Sequence, residues 1–182
     1  MANSRGVLLY GPPAAGKDTI TEQLLTIGPY THFQRLKVGS GRTSGYRMGT
    51  SEQLTALRER GQVIYENQRY DATYVIDREE LDTIVRKHER VPVLHVGQVD
   101  AVHAVCSSYP LTWTIVMVFC PRGEAEKRLI GRNDARIVER LAVWDDTLAE
   151  ADPTLFDLVL NTAAFEPAHA AGLIDWCQRH RR

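Results

Sequence analysis

The first hydrophobic feature of the chain is a continuous run, Val7-Leu8-Leu9-Tyr10, closed by Gly11-Pro12-Pro13. A run that is apolar at every position predicts a strand buried on both faces. The spacing then becomes helical: Ile20, Leu24, Leu25 and Ile27 predict a helix from about Lys17, with Gly28-Pro29 as its stop. Thr50-Ser51-Glu52-Gln53 has capping-box spacing and predicts a second helix running to Gly61. A third starts at Asp77, with Glu80 three residues on, and buries Leu81, Ile84 and Val85.

Val91 to Val96 and Thr114 to Phe119 read as two more strands, the second of them buried. Pro121 opens the next helix, Gly131-Arg132-Asn133-Asp134 breaks it, and Ile137, Leu141, Trp144 and Leu148 mark a longer one. Leu158-Val159-Leu160 is a last short strand, and a C-terminal helix begins near Pro167. Strands alternating with helices imply an α/β fold: a parallel sheet with helices on both faces. There is no repeat or linker, so residues 1–182 read as one unit.

Composition narrows the class of partner. With 22 basic and 23 acidic side chains the net charge is -1, without the basic excess of proteins that coat nucleic acids or anionic membranes. The expected partner is a small molecule, with no nucleic acid and no membrane. Cys106, Cys120 and Cys177 show no CxxC spacing and read as reduced thiols. The leading apolar run is too short for a signal-peptide core or a membrane span. The expectation is a cytoplasmic protein, monomeric or homodimeric.

The strongest local chemistry is Gly11-Pro12-Pro13-Ala14-Ala15-Gly16-Lys17-Asp18-Thr19, between the first strand and the first helix. It fits G-x-x-x-x-G-K, the phosphate-binding loop. Its glycines permit conformations that aim backbone N–H groups at phosphate oxygens, and the helix N-terminus adds partial positive charge. Lys17 would bridge the β- and γ-phosphates of ATP. Asp18 stands where a Ser or Thr normally ligates Mg2+. It either binds the ion directly, holds a water on it, or serves only as a helix N-terminal charge. Thr19 follows one residue later as a second indirect metal partner.

Beyond this loop the order of motifs resembles the guanylate kinase family of P-loop nucleoside monophosphate kinases. Three stretches carry the likeness: Arg42 to Gly61 with Gly45-Tyr46-Arg47-Met48, followed by Tyr65-Glu66-Asn67 and Tyr74; Arg128-Leu129-Ile130-Gly131-Arg132 with Glu139-Arg140-Leu141; and Phe156-Asp157-Leu158-Val159-Leu160-Asn161. The resemblance implies a P-loop kinase fold with about five parallel strands, an acceptor-binding region near 36–76 and a lid near 128–140. It also implies ATP and Mg2+ as cofactors, with Gly11, Pro13, Ala14, Ala15, Gly16, Lys17, Asp18, Thr19, Arg128 and Asn161 around the nucleotide. The chain departs from the family where the strand Leu94-His95-Val96-Gly97-Gln98 lacks the D-x-D carboxylates, which help with magnesium and with reading guanine. Its S-x-x-T-R-x-x-R motif is only partly echoed by Ser40, Arg42, Thr43 and Arg47.

Phosphoryl transfer needs positioning and positive charge more than covalent chemistry, and arginine forks suit phosphate oxygens. Lys17, Arg132 and Arg140 are the catalytic candidates. Arg42, Tyr46, Arg47, Tyr74 and Arg136 are candidates for the acceptor, with Tyr65 or Glu66 reading a base. His95, at the C-terminal end of its strand, faces the expected site. The leading expectation is phosphorylation of a nucleoside monophosphate to the diphosphate. Two alternatives stand beside it: a kinase for another small molecule or modified nucleotide, and a silent guanylate-kinase-like binding module.

Overall fold

The computed structural model describes residues 5–69 and 71–181, so Met1 to Ser4, ahead of the opening strand, lie outside the described residues. The first half of the chain forms β1 (Arg5–Tyr10), α1 (Lys17–Ile27), β2 (Tyr30–His32), β3 (Leu36–Gly39), β4 (Arg47–Met48), α2 (Ser51–Glu59), β5 (Val63–Arg69) and β6 (Ala72–Asp77). The second half forms α3 (Arg78–Asp82), β7 (Val91–Val96), α4 (Val99–Ser108), β8 (Thr112–Phe119), α5 (Arg122–Gly131), α6 (Ile137–Ala149), β9 (Leu158–Asn161) and α7 (Pro167–His180).

A five-stranded parallel sheet in the order β2-β7-β1-β8-β9 forms the centre. Residues Val7 to Tyr10 of β1 are wholly buried, as an uninterrupted apolar run requires of a central strand. Successive side chains point to opposite faces. Leu8 and Tyr10 therefore join Leu94, Val96, Val102 and Val105 in one core layer, while Val7 and Leu9 join Ile20, Leu24, Val93, Val116 and Ile174 in the other. The fold is α/β, with helices packed on both faces of the sheet.

Capping fixes two helix starts where the sequence puts them. Thr50 and Gln53 close a reciprocal capping box on α2, and Asp77 accepts from the Glu80 amide at 3.1 Å to start α3. Past Asp82, residues Thr83–Lys87 form one π-helical turn rather than more α-helix, and it still buries Ile84. On α1 the buried face is Ile20, Thr21 and Leu24, whereas Leu25 and Ile27 are exposed. At 100° per residue those two rotate away from the sheet, and Thr21 faces inward instead.

A second sheet, in the order β4-β3-β6-β5, has no counterpart in the expected strands. It is antiparallel across β3-β6 and β5-β6, and one of its faces packs Leu36 and Val75 onto Leu54 and Leu57 of α2. Its other face carries Lys37, Tyr74 and Asn67 in one cross-strand row. α4 was also unforeseen. Among the described residues no helix is long and apolar enough to cross a membrane. The three cysteines are free.

Candidate functional site

The turn after β1 is shaped by its glycines. Gly11 has φ 156°, and a Cβ there would sit 2.0 Å from the Val118 carbonyl oxygen. Gly16, at φ 95°, begins α1 from the left-handed region that glycine tolerates without strain. The chain thus curls tightly at the C-terminal edge of the central sheet, with the α1 N-terminus behind it. Lys17 Nζ folds back over this curl, donating to Gly11 O at 2.6 Å and Pro12 O at 2.8 Å. Burial pushes its pKa down to about 8.

The turn forms one wall of a cavity of about 450 Å³, within the range of small-molecule sites. Pro13, Ala14, Ala15, Gly16, Lys17 and Asp18 all line it. Asp18 Oδ1 lies 3.4 Å from His95 Nδ1, and Asp18 Oδ2 accepts from Arg42 Nη2 at 3.4 Å. His95 Nε2 is 2.7 Å from Thr21 Oγ1, and its ring packs against His32 at 4.4 Å. Burial drives the His95 pKa down to about 4, leaving the ring neutral at neutral pH. A Thr21 hydroxyl donating to Nε2 then leaves Nδ1–H to face the carboxylate. Hydrogen bonding from His95 holds the Asp18 carboxyl well below the usual range.

Thr19 does not join Asp18: one position further round the helix, it lines a neighbouring cavity of about 510 Å³. That cavity lies between α1, α5 and the segment after β9, and Phe165, Pro167 and His169 contribute to it. Arg128 is a strut between its walls, donating to Ala14 O at 3.2 Å, Thr162 Oγ1 at 2.9 Å and Thr162 O at 3.2 Å. Asn161 lies outside both linings; its Oδ1 accepts from the Ala163 amide at 3.0 Å and shapes the turn leading there. Arg132 lines both cavities. Arg136 and Arg140 line the first, with Arg140 Nε 2.7 Å from Asp134 and Arg136 3.6 Å from both Asp71 and Glu139.

The opposite wall is the polar face of the second sheet. Tyr46 and Tyr74 pack with ring centroids 5.3 Å apart, and Lys37 Nζ lies 5.7 Å from each ring. Arg35 sits 5.4 Å over Tyr74 and donates to Asn67 Oδ1 at 3.4 Å. Arg42 and Arg69 also line this wall.

Three expected acceptor residues are elsewhere. Arg47 pairs with the buried carboxylate of Asp77, donates to Gln34 O at 2.9 Å and approaches Glu80 at 3.5 Å. Glu66 is clasped by Arg58 of α2 at 3.1 and 3.0 Å, on the far side of its strand. Tyr65 packs against the main core. For Glu66 strand alternation is the reason: Asn67 and Arg69 reach the cavity, so Glu66 points the other way, whereas Tyr65 shares their parity but meets the main core beside Ile76. Arg35, Lys37, Asn67, Arg69 and Thr162 were missed. The i, i+2 spacing of 35/37 and 67/69 was the available signal.

Among the described residues, the first cavity faces eight cationic side chains against two carboxylates, Asp18 and Asp134, each of which already has a partner. Chemically it is an anion site. No protein-family model and no curated protein sequence matches the chain. Among solved structures, the guanylate kinase from Anaplasma phagocytophilum superimposes with a TM-score of 0.68 at 17% identity, covering 98% of this chain and 87% of that one. The fold is guanylate-kinase-like. A second structure, that of APE1195, matches with a TM-score of 0.53 at 18% identity, covering 99% of this chain and 98% of that one.

Proposed function

We propose that the protein is an ATP-dependent phosphotransferase that passes the γ-phosphoryl group to a small phosphorylated acceptor, in the first instance a nucleoside monophosphate. The observation that carries this reading is one cavity shared by Lys17 and its loop, by Arg132 and Arg140, and by the cationic, tyrosine-bearing face of the second sheet. A donor triphosphate on the loop and an acceptor on that face would meet between them. The guanylate-kinase-like fold supports the same layout.

In this reading the loop amides and Lys17 hold the β- and γ-phosphates, and Arg132 reaches the transferring group from the rim common to both cavities. The neighbouring cavity, braced by Arg128, takes the donor's base and sugar. An acceptor phosphate is already ionised at neutral pH, so no general base is required. Among the described residues no group of three or more His, Cys, Asp or Glu side chains gathers to hold a metal. This fits Mg2+, which is carried by substrate phosphates and water with one or two carboxylates, and Asp18 is the carboxylate at hand. When bound, the ion neutralises charge on the phosphates; His95 and Thr21 keep Asp18 aimed at them.

An ADP-release assay across a panel of nucleoside monophosphates, other phosphate monoesters and small alcohols tests the proposal. Turnover with a phosphorylated acceptor supports it, and silence with all of them despite ATP binding points to a binding module. One observation favours a second reading, an acceptor other than GMP. With Asp18 assigned to the ion and Asp134 held by Arg140, no spare carboxylate is left among the described residues of the cavity wall for guanine's N–H edge.

A further inference from the structure

We propose that Arg35 and Lys37, rather than Arg42 and Arg47, form the fixed seat for the acceptor's anionic group. The inference rests on the phosphotransferase reading and assigns a site within it. Lys37 is 1% exposed, yet it lines the cavity. Its ammonium has three donors, and one hydrogen bond is present, to Arg42 O at 2.8 Å; the rings of Tyr46 and Tyr74 flank it. Among the described residues, neither Lys37 nor Arg35 has a carboxylate within 4 Å.

Burying a cation is costly unless something negative accompanies it. The partly buried Arg47 and Arg181 have such partners in Asp77 and Asp157. For Lys37 on β3 and Arg35 just before it the partner must come from outside, and a phosphate monoester dianion matches two cations that both lie near the Tyr74 ring. Burial lowers the pKa of both Arg35 and Lys37, and an anion between them reverses that push.

The alternation that sends Leu36 and Val38 toward α2 sends Lys37 to the cavity, in register with Tyr74 and Asn67. The seat is therefore built on paired strands, whereas Arg42 stands on an exposed loop with its guanidinium on Asp18. Arg47 is consumed by Asp77 and Glu80. The acceptor-binding charge has moved from the loop onto the sheet.

Titration of inorganic phosphate into the protein saturated with ADP and Mg2+ tests this, because ADP fills the Lys17 loop. Wild type should bind phosphate, and Lys37→Met and Arg35→Met should each weaken that binding at least tenfold while ADP affinity is unchanged. Phosphate affinity equal to wild type in both folded variants overturns the seat, as does wild type that binds ADP but no phosphate. If ADP itself fails to bind, the phosphotransferase reading falls and the seat falls with it. Should the variants not fold, the Lys37 ammonium resonance of wild type decides. A shift on adding phosphate to the ADP complex supports the seat, and an unmoved resonance overturns it.

Discussion

Asp18 and Arg42, twenty-four residues apart in the chain, meet across the mouth of the cavity, with Arg42 Nη2 donating to Asp18 Oδ2 at 3.4 Å. The contact ties the first turn of α1 to the loop after β3. It is half exposed on both sides and contributes little to stability by itself. In the proposed reading its weight is functional, since the same carboxylate would face a magnesium ion. Asp18→Asn should therefore raise the Mg2+ concentration needed for half-maximal turnover about tenfold. It should leave the melting temperature nearly unchanged. An unaltered magnesium dependence would remove Asp18 from the metal's surroundings.

Lys17 should give nucleotide binding a pH signature. In the free protein its pKa is lowered to about 8, so the ammonium discharges as the pH rises through that value. A bound polyphosphate favours the charged form and raises the pKa. Affinity for ADP with Mg2+ should thus be full below pH 8 and fall above it, approaching about tenfold per pH unit. Binding near pH 8.5 should take up a proton, measurable by calorimetry in buffers of different ionisation enthalpy. In Lys17→Arg the dependence should vanish.

Arg132 lines both cavities, and in the proposed phosphotransfer it would act on charge that develops during transfer. Arg132→Ala should lower kcat by about 10³-fold, the scale of a transition-state arginine, with a much smaller change in donor affinity. Arg140→Ala should move in the same direction by less, because Arg140 also anchors Asp134. Steady-state kinetics with the donor varied separates the two parameters. A pure loss of donor affinity would contradict a transition-state role for either arginine.

Arg47 provides the contrast. Asp77 is 1% exposed, and Arg47 is the guanidinium that neutralises it. Arg47→Ala strands a buried carboxylate, and should cost about 3 kcal/mol of stability by chemical denaturation. The folded fraction should keep the acceptor KM of wild type.

Much of the central sheet could be read directly because burial on both faces leaves no ambiguity: the runs at Val7, Val91 and Thr114 are strands, and the first is followed by a turn shaped by Gly11 and Gly16. The second sheet was hidden because one of its faces lines a polar cavity. Val63-Ile64-Tyr65-Glu66-Asn67-Gln68-Arg69 has no long apolar run, and Lys37 occupies a position that burial statistics reserve for apolar residues. With β5 unrecognised, nothing in the sequence separated Tyr65 and Glu66 from their neighbour Asn67. α4 was missed for a different reason. It has no side-chain cap at Gln98, although Ala101, Val102 and Val105 carry helical spacing. Of the site, the first loop and the arginines of α5 and α6 follow from motif and chemistry. Lys37 on β3, and Arg35 just before it, needed the register to be known.

The central claim is that the loop from Gly11 to Lys17 grips a polyphosphate. Calorimetric titration of a non-hydrolysable ATP analogue with Mg2+ into wild type and Lys17→Ala tests it most directly. One site per chain in wild type, weakened about 10²-fold or more in the variant while its melting temperature stays within a few degrees, is the predicted result. Equal affinity in the two proteins, or no saturable binding to wild type, would contradict it.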